Sequence, residues 1–154
     1  MKTFPLFLAV VLHTTLVSGA ALAAESGLKV LDQAAAPRVA DRKPQDASEH
    51  FTADVGEVVA FVNLANPGAP TEVHQRWTHD GKVRFDARLN VGTTKTGWRT
   101  WSRHRMSPKG GKDVGAWTVE TVAADGSVLG TLNFDVAAST AAVTPAPKPI
   151  ARAD

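Results

Sequence analysis

The chain contains neither cysteine nor tyrosine. Without cysteine there is no disulfide, no thiolate nucleophile and no lipid-modified cysteine anchor, so the fold must be held by packing alone. Long apolar runs are scarce. One occurs at the N-terminus, and no second run approaches the roughly 20 residues that a membrane span requires. An excess of one charge is also missing, since 17 Lys and Arg face 15 Asp and Glu. The basic isoelectric point near 9.2 follows from having almost nothing that titrates between His and Lys. It is therefore no signature of nucleic-acid binding, and no nucleic-acid partner is expected. Phosphate-cradling Gly loops are absent too, and His74 and His79, five apart, point to opposite faces of any straight strand. No metal, cofactor or compact catalytic motif is expected on these grounds.

What is present begins with Met1 and Lys2, an apolar stretch over residues 4–17, and the small residues Ser18, Gly19, Ala20 and Ala21. This is the pattern of a secretory signal peptide, and Ala21-Leu22-Ala23 places cleavage after Ala23. The expected localisation is periplasmic or secreted, and the absence of disulfides favours a bacterial periplasm. Removing residues 1–23 leaves roughly 130 residues, one domain's worth, with no membrane span in the mature chain.

Residues 24–50 are rich in Ala, Asp and Lys, with Pro37 and Pro44 as breakers, and read as a loosely ordered lead-in. Only residues 28–31 look strand-like, with an edge strand over 38–40 as an alternative to a helical turn at Ala34-Ala35-Ala36. The pattern sharpens at residues 57–64, a nearly continuous apolar run that predicts a strand buried on both faces. A loop at Asn66-Pro67-Gly68-Ala69-Pro70 follows. Residues 72–78 then alternate, with Val73, Gln75 and Trp77 on one face.

Asp80-Gly81 predicts a tight hairpin into residues 82–91, where Val83, Phe85, Ala87, Leu89 and Val91 share the apolar face. A flexible connection over 92–97 leads to a strand over 98–105 and then to a basic loop over 107–112. The last hairpin joins 116–123 to 127–136 through Ala124-Asp125-Gly126, placing Trp117, Val119, Val128, Leu132, Phe134 and Val136 inward. Residues 137–154 are Ala, Thr and Pro without a core-forming run, and read as a disordered tail. The strand spacing predicts an all-β fold, an antiparallel immunoglobulin-like β-sandwich of about seven strands over residues 51–136.

Trp98-Arg99-Thr100-Trp101-Ser102-Arg103-His104-Arg105 is the densest cluster of chemistry. As a strand it puts Trp98, Thr100, Ser102 and His104 on one face, and Arg99, Trp101, Arg103 and Arg105 on the other. The first face reads as core, with Trp98 joining Trp77 and Trp117. The second reads either as a Trp/Arg ladder covering a sheet or as an exposed aromatic and cationic platform. A guanidinium stacked on indole adds roughly 0.5–1 kcal/mol when exposed.

With Arg42 and Pro44, His74 and Trp77, Gly81 and Lys82, the WRTWS run, Gly115 and Trp117, and Phe134 and Val136, residues 38–136 resemble a bacterial family, domain of unknown function 2914. The chain departs from that family's pattern in carrying Gln75 where the family places a His two before the Trp. The resemblance implies a single extracytoplasmic β-domain and supplies no activity.

The leading expectation is an exported, non-catalytic binding module whose contact surface is Arg99, Trp101, Arg103 and Arg105 with Lys109 and Lys112. Its partner would be an envelope protein, a glycan or an anionic polymer. Two alternatives are kept. One is a hydrolase, either metal-dependent through His74, His79 and His104 or serine-type through Ser102 and His104. The other is a purely structural envelope accessory protein.

Overall fold

The computed structural model describes residues 27–107 and 111–139. The expected signal peptide, the tail from residue 140 onward and Lys109 lie outside the described residues. Ten strands follow in order: β1 (Lys29–Ala36), β2 (Arg38–Ala40), β3 (Lys43–Gln45), β4 (His50–Thr52), β5 (Glu57–Asn66), β6 (Thr71–His79), β7 (Lys82–Val91), β8 (Thr94–Arg105), β9 (Gly115–Ala123) and β10 (Val128–Ala137). Seven of these have eight residues or more and three have three, so the expected strand count describes the long strands.

The strands form a β-sandwich of immunoglobulin-like type. One sheet runs β1-β5-β8, the other β4-β10-β9-β6-β7, and β2 and β3 make a separate hairpin. All pairings among the long strands are antiparallel, while the short β4 joins β10 in parallel. β5 is buried on both faces, as its unbroken apolar run predicts. Val58 and Ala60 meet Trp77, Trp117, Val119 and Phe134 across the main core, and Val62 and Leu64 meet Val73 and Val91 in a second cluster. Trp77 meets Trp117 and Phe134 edge-on, with ring centroids 6.1 and 6.0 Å away, the geometry that the ring quadrupoles favour.

Asp80 and Gly81 both take positive φ, 46° and 75°, giving the expected tight turn between β6 and β7. Two expectations about where strands run are corrected. Residues 29–45 are no loose lead-in: β1 pairs along β5, its Ala35 and Ala36 are buried, and β2 and β3 touch β5. Ala is the side chain that fits there, beside a strand already crowded with Val and Phe. The supposed flexible connection over 92–97 is largely strand, because β8 begins at Thr94.

Val83 and Val128 point outward, at 59% and 52% exposure. In each case a register irregularity intervenes, between Trp77 and Thr78 opposite Val83 and between Val128 and Gly130. One extra residue in a strand reverses which face later side chains occupy.

Candidate functional site

β8 is 12 residues long and has one hydrogen-bonded neighbour, β5, which makes it an edge strand. Its two faces divide as the alternation predicts. Toward the opposite sheet, Ser102 is buried and carries a polar bridge: Trp77 Nε1–H donates to Ser102 Oγ at 2.8 Å, and Ser102 Oγ donates to Gln75 Oε1 at 2.5 Å. The Ser102 backbone N–H donates to the same Gln75 oxygen at 3.0 Å. With both its proton and a lone pair engaged inside the core, this hydroxyl is built as a link between sheets, and the geometry offers no support for a serine nucleophile.

His104 projects from the same face into an aromatic layer, 5.5 Å from the Phe85 ring and 4.9 Å from Trp117. His79 stacks on Trp117 at 4.5 Å. Its Nε2 lies 3.0 Å from the Val114 carbonyl, an atom that can only accept, so that nitrogen carries the proton. The buried Asp113 sits beneath: its carboxylate accepts from the Ser107 N–H at 2.7 Å, its carbonyl accepts from Trp117 Nε1–H at 2.9 Å, and His104 Nε2 stands 3.5 Å away. His74 occupies the other face of β6 and is half-buried. Among the described residues no group of three His, Cys, Asp or Glu could hold a metal ion. His79 and His104 thus share the aromatic wall around Trp117, while His74 stands apart from them.

Trp98 departs from expectation most. It lies on the inner face, but at the end of the sandwich, where it is 40% exposed, and it does not join Trp77 and Trp117. Its six-membered ring rests on Gly92: a Cβ there would meet Cζ3 at 2.5 Å, Cε3 at 2.9 Å and Cη2 at 3.0 Å. That spread fits a point above the ring rather than beside it. Trp98 also lines a cleft of about 330 Å³ with Pro70, Thr71, Glu72, Asn90, Val91 and Gly92. A larger cleft, about 440 Å³, lies at the other end of the molecule, where His50 pairs with Asp135 above Phe51 and Val55. Neither cleft was visible in the sequence, because each is assembled from residues far apart in the chain.

The outer row falls where the sequence places it. Arg99, Arg103 and Arg105 are exposed and Trp101 is half-buried between them. Across on β5 they face Asn63, Val59, Glu57 and, for Trp101, Phe61. Arg103 reaches Glu57 at 3.5 Å. The row thus has one acid opposite three guanidinium groups. Val59 and Phe61, the β5 partners of Arg103 and Trp101, are each 2% exposed. Lys112 is exposed in the turn before β9.

Taken together, these features define an all-β sandwich domain with a basic, aromatic-bearing edge strand. Residues 70–136 match the family described as Protein of unknown function (DUF2914), and over that stretch the chain is similar to it. The match starts at β6, so Arg42 and Pro44, part of the motif resemblance, fall outside it. No curated protein matches the chain. Among solved structures, an immunoglobulin-like protein from Pseudomonas aeruginosa is similar at 13% identity with a TM-score of 0.48, covering 73% of this chain and 98% of that one.

Proposed function

We propose that this protein is an exported, non-catalytic binding module that uses the outer row of β8, Arg99, Trp101, Arg103 and Arg105 with Lys112, to hold an anionic polymer of the cell envelope. The observation that carries this reading is the charge imbalance along the row, where Glu57 is the one acid facing three exposed guanidinium groups. A half-buried indole between guanidinium groups adds a flat surface, and aromatic and Arg side chains are where binding energy concentrates. Export rests on the N-terminal apolar stretch and its Ala21-Leu22-Ala23 site. Intact mass of protein from a periplasmic extract, expected to begin at Ala24, tests it.

The binding test is titration calorimetry of the mature protein with dextran sulfate. Affinity should fall steeply as salt rises, because exposed charges are screened within about 10 Å at 0.1 M. Arg99→Glu with Arg105→Glu should weaken binding at least tenfold. An unchanged affinity in that double variant would remove the surface from consideration. A structural reading is favoured by one specific observation, the burial of Val59 and Phe61, which pair with Arg103 and Trp101 of the same row. It requires that the double variant lose stability rather than affinity.

A further inference from the structure

A sheet ends in a strand whose outward N–H and C=O groups meet no neighbour, and such an edge pairs with another chain unless something blunts it. Among the described residues the two main sheets have four edges, β1 and β8 in one and β4 and β7 in the other. Three of these are blunted. β4 has three residues, and β1 is interrupted by an irregularity between Val30 and Asp32. On β8 the Ser102 N–H, mid-strand, already donates to Gln75 Oε1. The outer row of β8 also contains no acid, so a second β8 would bring only like charges to it. β7 differs from all three. It has ten residues, no proline, one hydrogen-bonded neighbour in β6, and a regular register from Phe85 to Val91.

Both faces of this segment suit a second copy of itself. Asp86 and Arg88 point to the outer face and are exposed, while Phe85, Ala87 and Leu89 point inward and stay half-buried. Phe85 packs on the main core cluster and Leu89 on the second, so they form a partly open apolar rim. Two copies related by a twofold axis perpendicular to the sheet pair antiparallel, and because faces must match, the axis passes beside a single residue. Centring on Asp86 or on Arg88 opposes that charge to itself, which is unfavourable. Centring on Phe85 runs into the register irregularity beside it, and centring on Leu89 carries Asp86 past the end of the strand to Gly92. Centring on Ala87 opposes Asp86 to the partner's Arg88, Arg88 to the partner's Asp86, and Phe85 to the partner's Leu89. Charge then alternates across the joined sheets. Glu120, Arg76 and Asp86, separated by 3.8 and 3.6 Å, continue to the partner's Arg88 and Glu72, a pair 3.5 Å apart in each copy. We infer that β7 is a self-association surface through which two copies join edge to edge in a symmetric dimer centred on Ala87. The segment is short, so the interface belongs to the weak, reversible class, below about 1,200 Å².

Analytical ultracentrifugation of the mature protein, from micromolar to millimolar concentration, should show a reversible monomer–dimer equilibrium. Asp86→Arg and Arg88→Asp should each move the dimer midpoint at least tenfold higher, because each sets two like-charge pairs across the axis. An equimolar mixture of the two variants should form heterodimers, since every pair across the axis is then opposite in charge. A change confined to the folding of one chain cannot produce that rescue. Ala87→Cys, in a chain with no other cysteine, should close a disulfide between copies under mild oxidation, because directly opposed side chains stand about 4.5–5.5 Å apart. Val128→Cys, exposed but separated from β7 by two strands, is the control and should not. Circular dichroism melting curves establish that each variant is folded, and should either charge variant fail to fold, the Ala87→Cys crosslink decides alone. A protein that stays monomeric at millimolar concentration overturns the inference, as does a dimer that both single variants leave intact or a mixture that does not associate. So does a dimer lost in Arg99→Glu with Arg105→Glu but kept in Asp86→Arg, which would place the contact on β8.

Discussion

The Ser102 hydroxyl shows how one small side chain can join two sheets. It receives the Trp77 indole proton and gives its own to Gln75, so that three polar groups are satisfied where water cannot reach. Ser102→Ala keeps the backbone bond to Gln75 but leaves the Trp77 N–H buried without a partner, which costs about 1–3 kcal/mol. A lower urea midpoint with unchanged slope is the expected readout. The same scale separates the tryptophans. Trp117 is 1% exposed, and Trp117→Ala should cost about 3–5 kcal/mol, whereas Trp101→Ala at the half-buried outer row should cost clearly less in the same denaturation series. At this scale the alternation of β8 could be read from sequence, and Ser102 and Trp101 fall on the faces assigned to them. Depth along the strand could not. Period two says which way Trp98 points and nothing about whether the opposite sheet extends far enough to cover it. Gln75 is the partner that completes the Ser102 bridge.

Between residue and molecule, the β9–β10 turn carries its own pH dependence. The Ser127 hydroxyl donates to Asp125 Oδ1 at 2.6 Å and the Ser127 N–H donates to the same oxygen at 2.9 Å. These bonds, the hydroxyl first, hold the Asp125 carboxyl below its ordinary value by favouring the charged form. A lowered folded-state pKa means that the contribution is fully present above the unfolded value, near 3.8, and is lost as pH falls through the folded value. The turn should therefore loosen on acidification, seen as chemical-shift changes at the Ser127 and Gly126 amides as pH falls below the unfolded value of 3.8. Asp125→Asn should abolish that transition. The turn itself was legible, because Asp-Gly after an alternating strand has a backbone reason to bend. β1 was not. Its Gln-Ala-Ala-Ala segment has no β-branched residue, and it is a strand because its backbone pairs along the edge of β5. Nor were the register irregularities at Val83 and Val128, since both depend on how a neighbouring strand pairs.

For the molecule as a whole, the question is how much of the chain makes one cooperative unit. The family match covers residues 70–136, which hold β6 to β9 and β10 up to Val136, and leave out β1 and β5. That omission is severe, because β8 has β5 as its hydrogen-bonded neighbour in its sheet. β5 also supplies Val58, Ala60, Val62 and Leu64, each 0% exposed, to the space between the sheets. A fragment of residues 70–136 would keep the β10-β9-β6-β7 strands while exposing Trp77, Trp117, Val73 and Val119 to water. Its 12-residue β8 would be left without a strand to pair with. Each large buried side chain exposed forgoes about 1.5–3 kcal/mol, so a few of them exhaust the 5–15 kcal/mol by which a domain is ordinarily stable. Residues 27–139 should accordingly melt in a single sharp transition by circular dichroism, and the 70–136 fragment should show no cooperative transition and should bind hydrophobic dyes. Restoring residues 27–69 as a separate peptide should recover the transition if β1 and β5 can dock onto the fragment. A sharp, independent melt of the 70–136 fragment alone would instead show that the four strands β10-β9-β6-β7 are self-sufficient, and that β1 and β5 cover a core already formed.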